Sequence, residues 1–281
     1  AEPVLALPAL VLFATVAFAV MQKIFELFLG SSAILKSVYG AFAAFPVFLV
    51  WLHLSWAVVL LTFFITSSGL SHLFRVKKQK VEEQAVKGGR RDAWQVGANG
   101  GVAGLAALLS LVMPGSVLPW LAFAAAFAAA NADTWATELG VLNRSWPRRL
   151  TDWKRVPPGT SGAVSLAGTL AATGGALLVA LMAAACWPVV NTSFREKLVW
   201  GLVILLAGVF GSLVDSLLGA TLQVIYWCPA CEKETEKHPL HSCGKPTRRV
   251  RGWGWLNNDV VNLACTLSAA LLACLLGLLL R

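Results

Sequence analysis

The sequence predicts an all-α integral membrane protein, a polytopic bundle of about six or seven transmembrane helices with a small Cys-rich cytoplasmic loop. Hydrophobic residues make up 57% of the 281 residues and charged residues 13%, whereas soluble domains are about 45–50% apolar and about 25% charged. The 12 Trp and 2 Tyr residues suit membrane interfaces. In such a chain the net charge of +9 is evidence about loop orientation and predicts no nucleic-acid partner.

Several apolar stretches are long enough to cross a bilayer, which takes about 20 residues. They lie near residues 4–20, 40–66, 97–114, 116–136, 161–187, 198–225 and 260–280. The run 40–66 is either one long tilted span or two short helices, and 21–39 is either a span or an amphipathic surface helix. We therefore divide the chain into residues 1–39, an N-terminal membrane helix with an amphipathic segment, and residues 40–281, a membrane domain with loop 226–256 inserted before its last helix.

Most of the 23 Lys and Arg residues fall in three loops, 67–96, 141–160 and 226–256. Two spans separate each of these loops from the next, so all three are expected on one side of the membrane. The positive-inside rule makes that side cytoplasmic, or stromal in a plastid. The expected location is a bacterial inner membrane or a plastid membrane, with the active face on that side.

The stretch NADTWATELG (131–140) ends an Ala-rich span with five polar residues. On a helix these residues, Asn131, Asp133, Thr134, Thr137 and Glu138, fall within an arc of roughly 160°. A carboxylate at membrane depth is costly unless it has a partner or a function. The alternative is a solvated helix end.

A second polar stripe occupies GVFGSLVDSLLGATLQ (208–223). It contains Ser212, Asp215, Ser216, Gly219 and Gln223 within an arc about 100° wide. An intramembrane acid is a functional candidate by default. The alternative is an isolated Asp satisfied by neighbouring hydroxyls.

A third stripe opens the last predicted helix, in WLNNDVVNLACT (255–266). Asn258, Asp259, Asn262 and Thr266 share a narrow helical face. Capping by Asn257 or Asn258 explains one Asn, but not Asn262 one turn further along.

The stretch KRVPPGTSGAVSLAG (154–168) is expected to open a span with Thr160, Ser161 and Gly162. Hydroxyls and backbone N–H groups at a helix N-terminus bind anions, and Lys154 lies just upstream. The Gly-Lys-Ser/Thr order of a Walker A loop is missing. The alternative is an ordinary turn followed by an N-cap.

The last polar stretch is GGRRDAWQVGANGG (88–101). Arg90 and Arg91 are candidates for bidentate phosphate contacts, and Gln95 and Asn99 lie one turn apart at the start of a span. Two Arg residues at a membrane edge are equally explained as a topology signal.

Topology thus brings Asp133, Glu138, Asp215 and Asp259 to one membrane face among cations. Mg²⁺ binds through one or two carboxylates together with substrate phosphates, and Lys and Arg bind phosphate. The pattern predicts a metal-dependent phosphate site served by a groove open to lipid. Neither His nor Cys lies beside these acids in the sequence, which disfavours a hydrolytic zinc centre or a thiol nucleophile.

A separate Cys/His pattern lies in CPACEKETEKHPLHSCGK (228–245). A Cys-x2-Cys pair is a common start of a structural zinc site. We expect Cys228, Cys231, His241 and Cys243 to bind Zn²⁺, with a redox-active or idle thiol cluster as the alternative.

Six stretches resemble, in order, those of a membrane family that includes transmembrane protein 19 and the plant phytyl-phosphate kinase of the vitamin E (tocopherol) pathway. They are TSSGL (66–70), GGRRDAWQVGANG (88–100), NADTWATELG (131–140), VPPGTSGAVS (156–165), GSLVDSLLGATLQ (211–223) and LNNDVVN (256–262). The Cys loop looks like that of bacterial members. The plant branch implies phosphoryl transfer from a nucleotide, expected to be CTP, to a prenyl monophosphate.

That activity gives the candidate residues their expected roles. Asp133, Asp215 and Asp259 would bind Mg²⁺ with Glu138 in support. The remaining residues expected to bind substrate or nucleotide are Arg90, Arg91, Gln95, Asn99, Asn131, Thr134, Lys154, Thr160, Ser161, Gly162, Ser212, Gln223, Asn258 and Asn262.

Two other functions fit the same residues. One is a cytidylyltransferase acting on a lipid phosphate, and the other is a polyprenyl-phosphate carrier or flippase. A carrier tends to show an inverted repeat, and 131–140 and 211–223 echo each other only loosely.

Overall fold

The computed structural model describes residues 54–78, 93–140, 146–188 and 192–280. Six helices dominate this part of the chain, so the expectation of an all-α membrane bundle is confirmed. They are α1 (Leu54–Lys78), α2 (Ala93–Val112), α3 (Leu118–Gly140), α4 (Leu166–Ala185), α5 (Phe194–Thr221) and α6 (Asn258–Leu279). The predicted span 4–20, the segment 21–39 and the proposed boundary at residue 39 lie outside the described residues.

The predicted spans match these helices with shifts at their ends. The largest shift is in α1, which begins at Leu54 and continues past residue 66 to Lys78. Thr66 and Ser67 therefore lie inside a helix and not at its end. The Thr66 hydroxyl lies 2.8 Å from the Thr62 carbonyl one turn earlier and 3.0 Å from Asn131 Oδ1 of α3, and Ser67 is buried.

Helix α3 lies at the centre of the bundle and contacts each of the other five described helices. Those five are each long and apolar enough to span a membrane. Helix α3 carries Asn131, Asp133 and Glu138 and is less apolar, but its residues from Pro119 to Ala132 are nearly all buried in protein. Its neighbours turn Leu residues such as Leu181 and Leu206 outward. A central helix that does not face lipid can carry polar residues.

Small side chains let the helices approach α3 closely. A Cβ atom added at Gly208 would lie 2.7 Å from the Ala128 Cβ, and one added at Gly211 would lie 2.7 Å from the Ala129 Cβ. Such small-residue contacts are the usual packing device of membrane helices.

Aromatic rings fill the end of the bundle where α3 begins. Trp120 packs against Trp56 of α1 with ring centroids 5.1 Å apart and against Trp187 at 6.2 Å. Trp187 in turn stacks on Trp200 of α5. The polar C-terminal end of α3 is therefore at the opposite end of the bundle.

Two small β units cover that polar end. Strands β1 (Arg148–Arg149) and β2 (Ala163–Val164) form an antiparallel pair. Strands β3 (Ile225–Cys228), β4 (Lys233–Thr235) and β5 (Arg248–Arg251) form a sheet of order β4-β3-β5. The loops 141–160 and 226–256 thus meet at one end, as their charge predicted.

Two glycines with positive φ dock these units on the end of α5. Gly162 (φ 74°) lies so close to α5 that an added Cβ would overlap the Ala220 backbone. Gly252 (φ 78°) approaches the Gln223 carbonyl equally closely. Only glycine combines this backbone conformation with such an approach.

We predict that Gly211→Ala destabilises the protein by about 1–3 kcal/mol, the usual cost of overpacking a core. The added methyl group would meet Ala129 and the Cys265 carbonyl, both at 2.7 Å. The control is Gly104→Ala in α2, where nothing lies within 4 Å and helix propensity gains about 0.5–1 kcal/mol. The measurement is the thermal unfolding midpoint in detergent, and equal midpoints for the two variants would contradict the packing.

Candidate active site

A cavity of about 840 Å³ opens at the end of the bundle where α3 terminates. All six described helices and both β units contribute to its walls. Most residues predicted from sequence line it, namely Gln95, Asn99, Asp133, Thr134, Glu138, Thr160, Ser161, Gly162, Ser212, Asp215, Gln223, Asn258, Asp259 and Asn262.

Two carboxylates from different helices meet in this cavity. Asp133 of α3 and Asp215 of α5 are in hydrogen-bonding contact. The Asp215 Oδ2 atom is buried with no hydrogen-bond partner. Two carboxyl groups in contact require either a shared proton or a cation between them. A set of oxygen donors with one buried oxygen left over fits a hard divalent cation such as Mg²⁺.

A third carboxylate comes from an element that the sequence analysis had linked only to zinc. Glu236, directly after β4, lines the cavity and its charge acts on Asp215. Its Oε1 atom accepts a hydrogen bond from Gln223 Nε2 at 2.8 Å. Periodicity could not find Glu236, because it lies in a loop whose path depends on the β3–β4 pairing.

The other two predicted acids occupy the rim of the same cavity. Glu138 is nearly buried, and its Oε1 atom accepts a hydrogen bond from the Ser71 hydroxyl of α1 at 2.8 Å. Asp259 lies in the first turn of α6, where its backbone N–H donates to the Asn257 side chain. Asn257 is thus the N-cap, one of the two capping assignments considered, and Asp259 lines the cavity.

Asn131 is placed differently from its predicted substrate-binding role. It does not line the cavity, and its exposed fraction is 0%. Its Nδ2 atom donates to the Gly175 carbonyl of α4 at 2.9 Å, and its Oδ1 atom accepts from the Thr66 hydroxyl of α1 at 3.0 Å. These contacts make Asn131 a crosslink among three helices.

Arg149 is a basic residue of the cavity wall, as is Lys233, and sequence analysis had counted Arg149 only as a topology signal. Arg149 lines the cavity, and its Nε atom is buried with no hydrogen-bond partner. Lys154 does not line it; its side chain is 80% exposed, with Nζ 3.8 Å from Asp152. Arg90 and Arg91 lie outside the described residues.

Arg251 of β5 adds a second guanidinium close to Arg149. Its Nη1 atom donates to the Gly219 carbonyl at 2.8 Å, while Nη2 is buried without a partner. Burial lowers the pKa of Arg251, against the opposing charges of Glu234 and Glu236, and the charge of Arg149 also lowers it. Arg251 does not line the cavity, whereas Arg149 lines it and its unused Nε donor suits a phosphate group.

The Thr160-Ser161-Gly162 stretch does not form a helix N-terminus as expected. Helix α4 begins at Leu166, and its N-cap is Ser165, which accepts a hydrogen bond from the Gly168 backbone N–H. The Thr160 hydroxyl donates to the Pro157 carbonyl at 2.8 Å. The expectation failed because the chain turns into the β1–β2 pair before the helix starts.

The hydroxyl of Ser161 links the same stretch to the end of α5. It contacts Gln223 Oε1 at 2.5 Å and the Gly219 carbonyl at 3.3 Å. The stretch lines the cavity, but its side-chain hydroxyls hold the loop in place.

The four predicted zinc ligands lie together outside the acidic cluster. The ligand atoms of Cys228, Cys231, His241 and Cys243 are all within 4.8 Å of one another. The hydrogen bond from His241 lowers the pKa of Cys243 to about 6, and contact with Cys243 raises that of Cys231 to about 11.

These observations define a polytopic helical membrane protein with an acidic and basic cavity at one end. Comparison with known proteins then gives the family: the chain matches the family of integral membrane proteins DUF92 over residues 23–270 and belongs to it. The expected relationship to the transmembrane protein 19-like proteins is thereby confirmed.

Relatives come from plants, archaea and cyanobacteria. The chain is 32% identical to Protein PGR of Arabidopsis thaliana over 237 residues, which are 77% of this chain and 80% of that protein. It is 30% identical to an uncharacterized membrane protein of Methanocaldococcus jannaschii over 67% of this chain and 74% of that one. It is 27% identical to one of Synechocystis sp. over 80% and 76%. No solved structure matches.

We predict that Asn131→Ala acts on stability and not on ligand binding. Truncation removes the hydrogen bonds of Asn131 to the Gly175 carbonyl and to the Thr66 hydroxyl, at a cost of about 0.5–1.5 kcal/mol each. The control is Thr173→Ala, since the exposed Thr173 hydroxyl bonds only to its own helix at the Thr169 carbonyl. Thermal unfolding in detergent should show a lower midpoint for Asn131→Ala alone. A wild-type midpoint combined with weaker lipid-phosphate binding would restore Asn131 to the binding site.

Proposed function

We propose that this protein catalyses Mg²⁺-dependent phosphoryl transfer from a nucleotide, with CTP as the expected donor, to a prenyl monophosphate. The product is a prenyl diphosphate, and the acceptor class includes phytyl phosphate. The observation that carries the proposal is the contact between Asp133 and Asp215 inside a cavity that Arg149 also lines, with its Nε donor unused. The proposal further places the cavity at the cytoplasmic or stromal face.

The acidic cluster supplies the metal site in this mechanism. Asp133 and Asp215 bind Mg²⁺, and Asp259 and Glu138 line the same cavity as supporting groups. When bound, Mg²⁺ neutralises charge on the nucleotide phosphates. Carboxylates on three different helices fix the position of the ion relative to the bundle.

The basic and amide groups position the phosphates. Arg149 takes the role that sequence analysis gave to Lys154, because it faces the cavity with an unused donor. Gln95 and Asn99 line the cavity from α2 and can hydrogen-bond phosphate oxygens. Such positioning converts the encounter of two bound substrates into an effectively unimolecular step.

The chemical step needs little help from a general base. A prenyl monophosphate oxygen is already largely anionic near neutral pH, since the second phosphate pKa is about 6. This oxygen forms a bond to the terminal phosphorus of the nucleotide, and the bond from that phosphorus to its bridging oxygen breaks. The nucleoside diphosphate leaves with that oxygen and its electron pair. Catalysis therefore rests on position and charge stabilisation.

The apolar part of the cavity fits the prenyl chain. Ala172 of α4 and Val209 and Leu213 of α5 line it below the polar groups. The Leu213 side chain is 46% exposed. The proposed route by which the lipid tail reaches the cavity from the bilayer passes between α4 and α5, the two helices that supply this apolar lining.

The test is to incubate the purified protein in detergent with Mg²⁺, labelled CTP and phytyl or geranylgeranyl monophosphate. The proposal expects prenyl diphosphate and CDP. A CDP-lipid with release of pyrophosphate would instead show a cytidylyltransferase. Binding of the lipid phosphate without turnover, across several nucleotides, would favour a carrier and overturn the enzyme proposal.

We predict that two substitutions separate the metal and phosphate roles. Asp215→Asn should lower kcat at least about 100-fold, the scale on which loss of transition-state charge stabilisation acts. Arg149→Ala should mainly raise KM, by at least about tenfold, because a hydrogen bond to a charged group contributes about 1.5–3 kcal/mol. Lys154→Ala, which removes an exposed cation of the same loop, is the matched control. Equal effects of Arg149→Ala and Lys154→Ala would contradict the assignment of Arg149.

A further inference from the structure

Two tight turns hold four potential metal-ligating side chains at one end of the sheet formed by β3, β4 and β5. Cys228 ends β3, and Cys231 follows in the turn before β4, where Glu232 has a positive φ of 49°. His241 and Cys243 share the second turn, closed by a hydrogen bond from the Gly244 N–H to the His241 carbonyl at 2.9 Å. Each turn thus presents two ligands to the other.

The distances among these ligands match a tetrahedral site. Cys228 Sγ lies 3.6 Å from Cys243 Sγ, and His241 Nδ1 lies 3.2 Å from Cys243 Sγ and 3.5 Å from Cys231 Sγ. A tetrahedral zinc ion with Zn–S near 2.3 Å and Zn–N near 2.0–2.1 Å separates its ligands by roughly 3.5–3.8 Å. Only small movements are needed to close the four ligands around one ion.

The fourth position belongs to His241 and not to the nearby His238. The His238 ring stacks on Tyr226 with centroids 4.4 Å apart, and its Nδ1 atom lies 3.3 Å from the Thr247 hydroxyl. His241 is buried, with Nδ1 directed at the sulfur atoms. This distinction provides a matched pair of His variants.

The sheet that carries these ligands has little apolar core of its own. Its strands contain four, three and four residues, and strands of that size rarely hold together without a crosslink. Gly252, which docks the sheet on α5, lies at the end where Ile225 pairs with Arg251, whereas the ligand turns lie at the opposite end, beyond the Trp227–Arg248 pair. A crosslink between the two turns would fix this end of the sheet, including the connection from β3 to β4.

We propose that Cys228, Cys231, His241 and Cys243 bind a structural Zn²⁺ and that this ion holds Glu236 beside the Asp133–Asp215 pair. The Cys-x2-Cys turn connects β3 to β4, and β4 leads directly to Glu236 in the cavity wall. The second ligand turn leads into β5 through Thr247, whose hydroxyl donates to the Lys237 carbonyl at 3.0 Å. Glu236 thus lies on the short segment between the two ligand pairs.

The positioning of Glu236 rests on the proposed acidic metal site, whereas zinc binding does not. Glu236 is held from one side by Gln223, at 2.8 Å, and from the other by the clamped turns. Loss of zinc would free the segment between the turns and so loosen the position of the Glu236 carboxylate. Glu236 is a positioning residue in this account, acting on the charge of the pair.

Zinc binding is tested by elemental analysis of protein purified under reducing conditions without added metal or chelator. One zinc per chain is expected, lost in Cys243→Ser and His241→Ala but retained in His238→Ala and Cys186→Ser. Wild-type protein in which Co²⁺ replaces zinc should show the intense absorption of tetrahedral cobalt with thiolate ligands. This spectrum does not depend on the folding of any variant. A metal-free wild type that takes up no Co²⁺, or a Cys228–Cys243 disulfide, would overturn the proposal.

The link to Glu236 is tested by hydrogen exchange and Mn²⁺ affinity on the wild-type protein. Removing zinc with a thiol reagent and chelator should speed amide exchange in residues 233–247 and weaken Mn²⁺ binding at the acidic pair to the level of Glu236→Gln. Unchanged exchange and Mn²⁺ affinity after zinc removal would overturn the positioning role. If the protein failed to transfer phosphate, the amide exchange and the Mn²⁺ affinity would still report on Glu236. The proposed activity and the proposed role of zinc can therefore fail separately.

Discussion

Close packing around helix α3 is the constraint on which the rest of this structure depends. Alanines occupy most of α3 from Ala122 to Ala132, so that five helices can approach its backbone. Gly208 and Gly211 of α5 and Gly175 of α4 complete the fit, since a Cβ at any of them would come within 3 Å of α3. Larger residues would separate the helices and with them the side chains at their ends.

The site follows from this packing. Because α5 lies directly on α3, Asp133 and Asp215 are brought into contact although they are far apart in sequence. The two carboxylates repel each other when both are ionised, so the helix packing must hold them together at a cost in stability. A cation bound between them would turn this repulsion into attraction to the cation. The same end of α5 contacts Gly162 and Gly252. One helix terminus therefore positions Asp215, the β1–β2 pair with Arg149, and the sheet that leads to Glu236.

Helical periodicity predicted those parts of the site that lie on helices. A 3.6-residue period places Asp133 and Glu138 on the polar face of α3, and Asp215 on the polar face of α5, without knowledge of the tertiary structure. The same reasoning failed for Asn131, because a polar face does not say which of its members meets a neighbouring helix. It also failed for Arg149 and Glu236, whose positions depend on strand pairings between segments with no periodic signal. Residues 160–162 were misplaced because a Gly/Pro-rich approach to a helix resembles a helix start.

The central claim is that Asp133 and Asp215 together bind one divalent cation. Electron paramagnetic resonance titration of Mn²⁺, an ion that suits the same oxygen ligands as Mg²⁺, measures this directly without turnover or substrate. The account predicts one bound Mn²⁺ per wild-type chain and binding at least about tenfold weaker, or about 1.4 kcal/mol, in Asp215→Asn. The control is Glu196→Gln, which changes a carboxylate at the opposite end of the same helix. Absence of binding to the wild type, or equal binding to Asp215→Asn, would contradict the account.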